Sequence, residues 1–275
     1  MLFKRYAELD ALRAVRLARE ARVGGAALGA VYGAWARGSP EQVLAALSTV
    51  TKAEDAADVA VAVMMALGAD ATAVRRVAAV LAAREEATSF AGVVPQPVPT
   101  PAGPGFTAAR SALALAAQRL ADLEPRRALA VARELDDERV RLTFESAALH
   151  ALAYVAPNEA FAELRGIDTS GPTLAMFAPT LVELGRADPE RLLAAVRDFP
   201  PDARRIAESA ALQQLAQNDP QAALRHIERL PLGMERQALT QLVARSYGKH
   251  DAAAALAWAR ARRSWPRSTR CSPSG

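Results

Sequence analysis

Apolar residues recur along this chain every three to four positions, the spacing that lines one face of an α-helix, rather than in the alternation of a half-buried strand. Four stretches show it best: Leu129, Ala132 and Leu135; Phe161, Leu164 and Ile167; Leu193, Val196 and Phe199; Leu224, Ile227 and Leu230. Each set begins four residues after a proline, in Glu124-Pro125, Ala156-Pro157, Asp188-Pro189 and Asp219-Pro220. These openings have a physical reason. An Asp at the N-cap accepts a hydrogen bond from a free backbone N–H of the first turn, and Pro at the first helical position loses no bond it would have made. With Asp251 as the next member, the anchors fall at 125, 157, 189, 220 and 251, spaced 32, 32, 31 and 31. Ser39-Pro40, Asp70-Ala71 and Asp10-Ala11 extend the series towards the N-terminus.

Pro200-Pro201, Pro231 and Gly166 with Gly171-Pro172 each stop an anchored helix, and a second helix follows, as at 202–217 and 234–247. Two helices in one such period leave only short turns, which predicts antiparallel neighbours. The expected fold is all-α: an α-solenoid of about seven antiparallel helical hairpins with a period of 31 to 32, plus a lone C-terminal helix over 252–262. The rhythm breaks once, at residues 88–105, which are rich in Pro and Gly and carry no charge. This segment is expected to be a swollen turn joining helix 70–87 to helix 106–121. The functional alternative is a polyproline recognition segment running from Pro101 to Pro104. The expected division is helical repeats over 1–87, a Pro-rich linker over 88–105, further repeats over 106–263 and an irregular basic tail over 264–275.

The paired-helix period, the Asp-Pro openings and the small residues at helix crossings resemble the tetratricopeptide-like superfamily of helical-hairpin repeats. The resemblance is one of architecture. The tetratricopeptide unit repeats at about 34 residues with a Trp/Gly/Tyr signature, which this chain lacks, so that family's carboxylate clamp transfers to no residue here. Solenoids need capping repeats at both ends. The abrupt start at Met1 and the unpaired last helix suggest a piece of a longer array, or a shifted reading frame in the tail.

Alanine supplies 66 of the 275 residues, which reinforces the helical pattern because it is the best helix former. The sequence pI near 9.6 invites a nucleic-acid interpretation. However, Arg260, Arg262, Arg263, Arg267 and Arg270 all follow the last acidic residue, and subtracting those five from the net +4 leaves residues 1–259 at −1. Nucleic acid is therefore not an expected partner. Only three of the 34 basic residues are lysines, a bias that fits a GC-rich, bacterial genome. Cys271 is the only cysteine, so no disulfide can form within the chain. The longest apolar run, Val59 to Ala69, is about half a membrane span. Membrane insertion is not expected, and the chain as written would be cytoplasmic, or periplasmic if its N-terminus is truncated.

Motifs of catalysis, metal binding or cofactor binding are missing, so neither an enzyme nor a cofactor is expected. Gly24, Gly25 and Gly29 imitate a phosphate loop but lack the strand and the Lys-Ser/Thr, and are expected to be a turn and close helix packing. His150, His226 and His250 fall on different hairpins, as surface or packing residues, and Asp136, Asp137 and Glu138 fall on a solvated turn. Two arginine ladders remain. Arg133, Arg165 and Arg197 lie eight residues after their anchors, as Arg19 does, and Arg141, Arg205 and Arg236 lie sixteen after theirs. Cations near helix C-termini explain the first set without a ligand; the functional alternative is a stripe for an acidic peptide or polymer. The expected function is a non-catalytic scaffold that binds a protein or peptide on the concave face of the superhelix. The alternative is a superhelical substrate-positioning region of a larger envelope or peptidoglycan-processing protein.

Overall fold

The computed structural model describes residues 10–21, 23–89, 98–100, 103–105, 111–167, 169, 171, 173–231 and 233–263; the expectations for the chain start and for the tail over 264–275 lie outside them. The capping chemistry places the helices. Asp10, Asp70, Asp188, Asp219 and Asp251 each accept the backbone N–H three residues on, at 2.8 to 3.0 Å. Fifteen helices occupy the described residues. They are α1 (Ala11–Glu20), α2 (Gly25–Ala36), α3 (Pro40–Leu47), α4 (Ala53–Ala66), α5 (Ala71–Ser89), α6 (Ala112–Leu123), α7 (Pro125–Arg133), α8 (Glu138–Val155), α9 (Pro157–Leu164), α10 (Thr173–Ala187), α11 (Pro189–Ala195), α12 (Pro201–Asn218), α13 (Pro220–Arg229), α14 (Met234–His250) and α15 (Ala252–Arg263). The fold is all-α. No described helix is long and apolar enough to cross a membrane.

One residue links α6 to α7, α8 to α9, α10 to α11, α12 to α13 and α14 to α15. These residues, Glu124, Ala156, Asp188, Asp219 and Asp251, share φ between −149° and −140° and ψ between 65° and 93°. At Asp188, Asp219 and Asp251 the N–H closes the preceding helix on Leu184, Leu215 and Tyr247, at 2.9, 2.7 and 2.7 Å. The carbonyl of the same residue then accepts the first bond of the next helix. Asp251 is thus an N-cap like Asp219, and the last anchor is Ala252, so the final spacing is 32 rather than 31. The link from α4 to α5 is built differently: Gly68 at φ 102° lets Ala69 N–H reach back to Met64 O at 2.7 Å, a Schellman closure.

The chain forms two compact units, Met1–Val155 and Ala156–Gly275. In the first, α2, α4, α6 and α8 each pack on the next, and α3, α5 and α7 do the same, giving two layers. The tightest contact is α2 on α4. Gly29 and Gly33 lie so close that a Cβ would meet Asp58 O at 2.9 Å and Ala62 O at 3.1 Å. Of the three glycines expected to form a turn and close helix packing, Gly24 is the N-cap of α2, and Gly25 and Gly29 are close-packed inside it. In the second unit, α10, α12 and α14 pack in sequence, and Gly185 brings α10 against the Ala211 backbone of α12.

The Pro-rich segment departs in part from a structureless loop. Val98–Thr100 (β1) and Gly103–Gly105 (β2) pair antiparallel, Val98 opposite Gly105; the β-branched Val98 and Thr100 favour extended backbone. Pro101, the first residue of the expected recognition segment, lies outside the described residues. The helices on either side of the segment, α5 and α6, pack together within the first unit.

Candidate functional site

In the second unit α11 and α13 both rest on α12. The space between them is a groove of about 660 Å³. Amphipathic patterning makes the floor. Leu193 and Val196 of the first flank, and Leu224 and Ile227 of the second, are buried, which turns Arg197, Arg225 and Arg229 outward. Leu193, Val196, Leu215 and Leu230 supply apolar lining; Arg197, Arg204, Arg225, Arg229 and His226 supply the basic groups; Glu190 and Glu208 are the acidic ones.

The basic groups are not equivalent. Arg204 is committed to the fold: its Nε donates to Val196 O at 3.1 Å, and its Nη2 to Arg197 O and Phe199 O at 3.1 and 3.3 Å. It thereby ties down the end of α11, where a 3₁₀ turn, Val196–Asp198, closes with Phe199 N–H on Val196 O at 3.2 Å. Arg225 makes a long ion pair with Asp219, 3.7 Å. Arg197 and Arg229 have no acidic partner among the described residues, and both are exposed. His226, in the last turn of α13, is half-buried, and its Nε2 has no hydrogen-bond partner among the described residues. Burial, then the guanidinium of Arg229, then that of Arg197, hold its pKa below the ordinary 6.5. Its imidazole is therefore neutral at pH 7.

Of the seven ladder arginines, the groove takes in only Arg197, and Arg19 donates to Tyr32 Oη at 2.9 Å and Thr49 Oγ1 at 2.8 Å. Arg133 ends α7 in the first unit, and Arg165 is the exposed C-cap of α9 in the second. Arg141 pairs within its own helix, with Glu138 at 3.8 Å and Glu145 at 3.5 Å. Arg205 is exposed and pairs with Asp202 at 2.6 Å. Arg236 donates to Leu230 O at 3.1 Å. The counterpart of Arg236 is thus Arg204, not Arg205, because both close the end of the preceding helix. Counting forward from the upstream anchor slips by one residue, since the intervening turns differ in length. Counting back from the downstream helix start aligns Arg141, Arg204 and Arg236, each sixteen residues before Pro157, Pro220 and Ala252.

His226 was legible only as a packing histidine, because the groove arises from how α11 and α13 sit on α12. One sequence repeat does include a residue that lines the groove, Glu208: Glu-Ser-Ala-Ala-Leu at 145–149 recurs at 208–212. In both copies the glutamate is buried, Glu145 at 6% exposure and Glu208 at 5%. No protein family, curated protein or solved structure matches the chain in comparisons with known proteins.

Proposed function

We propose that this chain is a non-catalytic interaction scaffold, a tetratricopeptide-like solenoid of about seven antiparallel hairpins closed by the lone helix α15. Its task is to bind a protein or peptide partner along the surface that stacked hairpins expose. One observation carries this reading: the link residues Glu124, Ala156, Asp188, Asp219 and Asp251 adopt the same backbone geometry although they are three different residue types. A geometry that recurs independently of the side chain belongs to the supersecondary unit. Units that bury their faces only against neighbours leave a long surface rather than one enclosed pocket. The mixed polar and apolar groove on α12 fits such a role.

The test is affinity capture by the full chain, followed by cross-linking and mass spectrometry. A stoichiometric partner cross-linked to helices of the array supports the scaffold. A chain that captures nothing above a scrambled-sequence control, yet turns over a small-molecule substrate, overturns it.

A further inference from the structure

We infer that the groove between α11 and α13 holds an extended acidic peptide segment, its carboxylates taken by Arg197 and Arg229 and an aliphatic side chain laid on Leu193, Leu215 and Leu230; this rests on the scaffold reading above. Arg197 and Arg229 reach the groove from opposite flanks, and neither has an acidic partner among the described residues. Arg204 cannot take that role, because its guanidinium is bound to three backbone carbonyls. Both cations thus share one groove with the leucines that line it, a lining that suits carboxylates next to an apolar residue.

The chemistry of the lining selects a peptide over a nucleic acid. A continuous phosphate rail would run past Glu190 and Glu208, and among the described residues no Phe, Tyr or Trp lines the groove as a platform for successive bases. A peptide can present apolar and neutral residues at those points. Arginine forks suit carboxylates through paired charge-assisted hydrogen bonds.

The experiment is a fluorescence-anisotropy titration of the full chain with a labelled peptide of the pattern Glu-Leu-Glu-Glu-Leu-Glu, its Gln-for-Glu counterpart, and a single-stranded oligonucleotide. The acidic peptide should bind, and affinity should fall with salt. Arg197→Ala and Arg229→Ala should each weaken it about tenfold, the loss of one charge-assisted contact. Arg205→Ala, outside the groove, should leave it unchanged. Equal binding of the Gln peptide, unchanged binding by both groove variants, or preference for the oligonucleotide overturns the inference. Should cross-linking place a captured partner away from α11 to α13 while the peptide fails to bind, the scaffold stands and this assignment falls.

Discussion

Gly29 in α2 lies against Asp58 in α4 so closely that an added Cβ would sit 2.9 Å from the Asp58 carbonyl oxygen. The obstructing atom is backbone, which cannot rotate aside. Gly29→Val should therefore push α2 off α4 and cost about 1–3 kcal/mol, as overpacking does. Gly38, whose nearest such neighbour is 3.9 Å away, is the control: Gly38→Ala should stay within about 0.5 kcal/mol. Urea denaturation of the two variants distinguishes them, and equal losses would mean that the two helices do not touch along this face.

Leu224 is 4% exposed in α13, four residues after Pro220, while Arg197 is exposed at the groove. Leu224→Ala should cost about 2–5 kcal/mol through lost transfer free energy and a cavity. Small alanine neighbours should keep it in the lower half of that range. Arg197→Ala should cost less than about 0.5 kcal/mol. Chemical denaturation curves of the pair check the face assignment.

Ala156 has the backbone of an N-cap, φ −149° and ψ 65°, close to that of Asp188, but no side chain to accept a hydrogen bond. Ala156→Asn should supply the acceptor that Asp188 already provides and raise stability by about 0.5–1 kcal/mol. The reverse change, Asp219→Ala, removes the 2.9 Å bond to Ala222 N–H and should lower it by about 1 kcal/mol. Thermal melts of both variants should move in opposite directions.

His226 should make stability depend on pH. Its folded-state pKa lies below the ordinary 6.5, so as pH falls past that value the unfolded chain binds the proton first. Unfolding free energy therefore drops as pH falls below about 6.5 and levels off once the folded imidazole is itself protonated. His226→Gln should flatten that part of the profile. Urea midpoints of both proteins across the interval would show it, and parallel profiles would refute the assignment.

Most helix positions could be read from the chain because caps and apolar spacing are local. Asp188-Pro189 and Asp219-Pro220 open helices in the structure as their chemistry requires, and Leu129, Phe161, Leu193 and Leu224 are buried. At the end of the same pattern, past the last residue of each helix, Leu135 and Phe199 are buried but Ile167 and Leu230 only half-buried. Tertiary packing wrote the rest. Pro179 lies inside α10, where a proline forfeits a helix bond, and Thr180 beside it is fully buried. No local rule predicts a helix through that proline. The groove escaped for the same reason: Arg229 follows His226 by three residues in α13, but Arg197 lies just past α11, and only the packing of both flanks on α12 brings it to them.

A link of one residue has no slack. Inserting a single alanine after Asp219 would turn α13 by about 100° about its axis, because a helix advances 3.6 residues per turn, and would carry Leu224 and Ile227 out of the core. Changes in length must be absorbed at the other kind of turn, between the two members of a helix pair. The longest such turn holds β1 and β2 between α5 and α6, two helices that still pack together across it. A reporter domain spliced there would leave the register of every other helix as it is, whereas the same splice at Asp188 or Asp219 would put every later helix out of step.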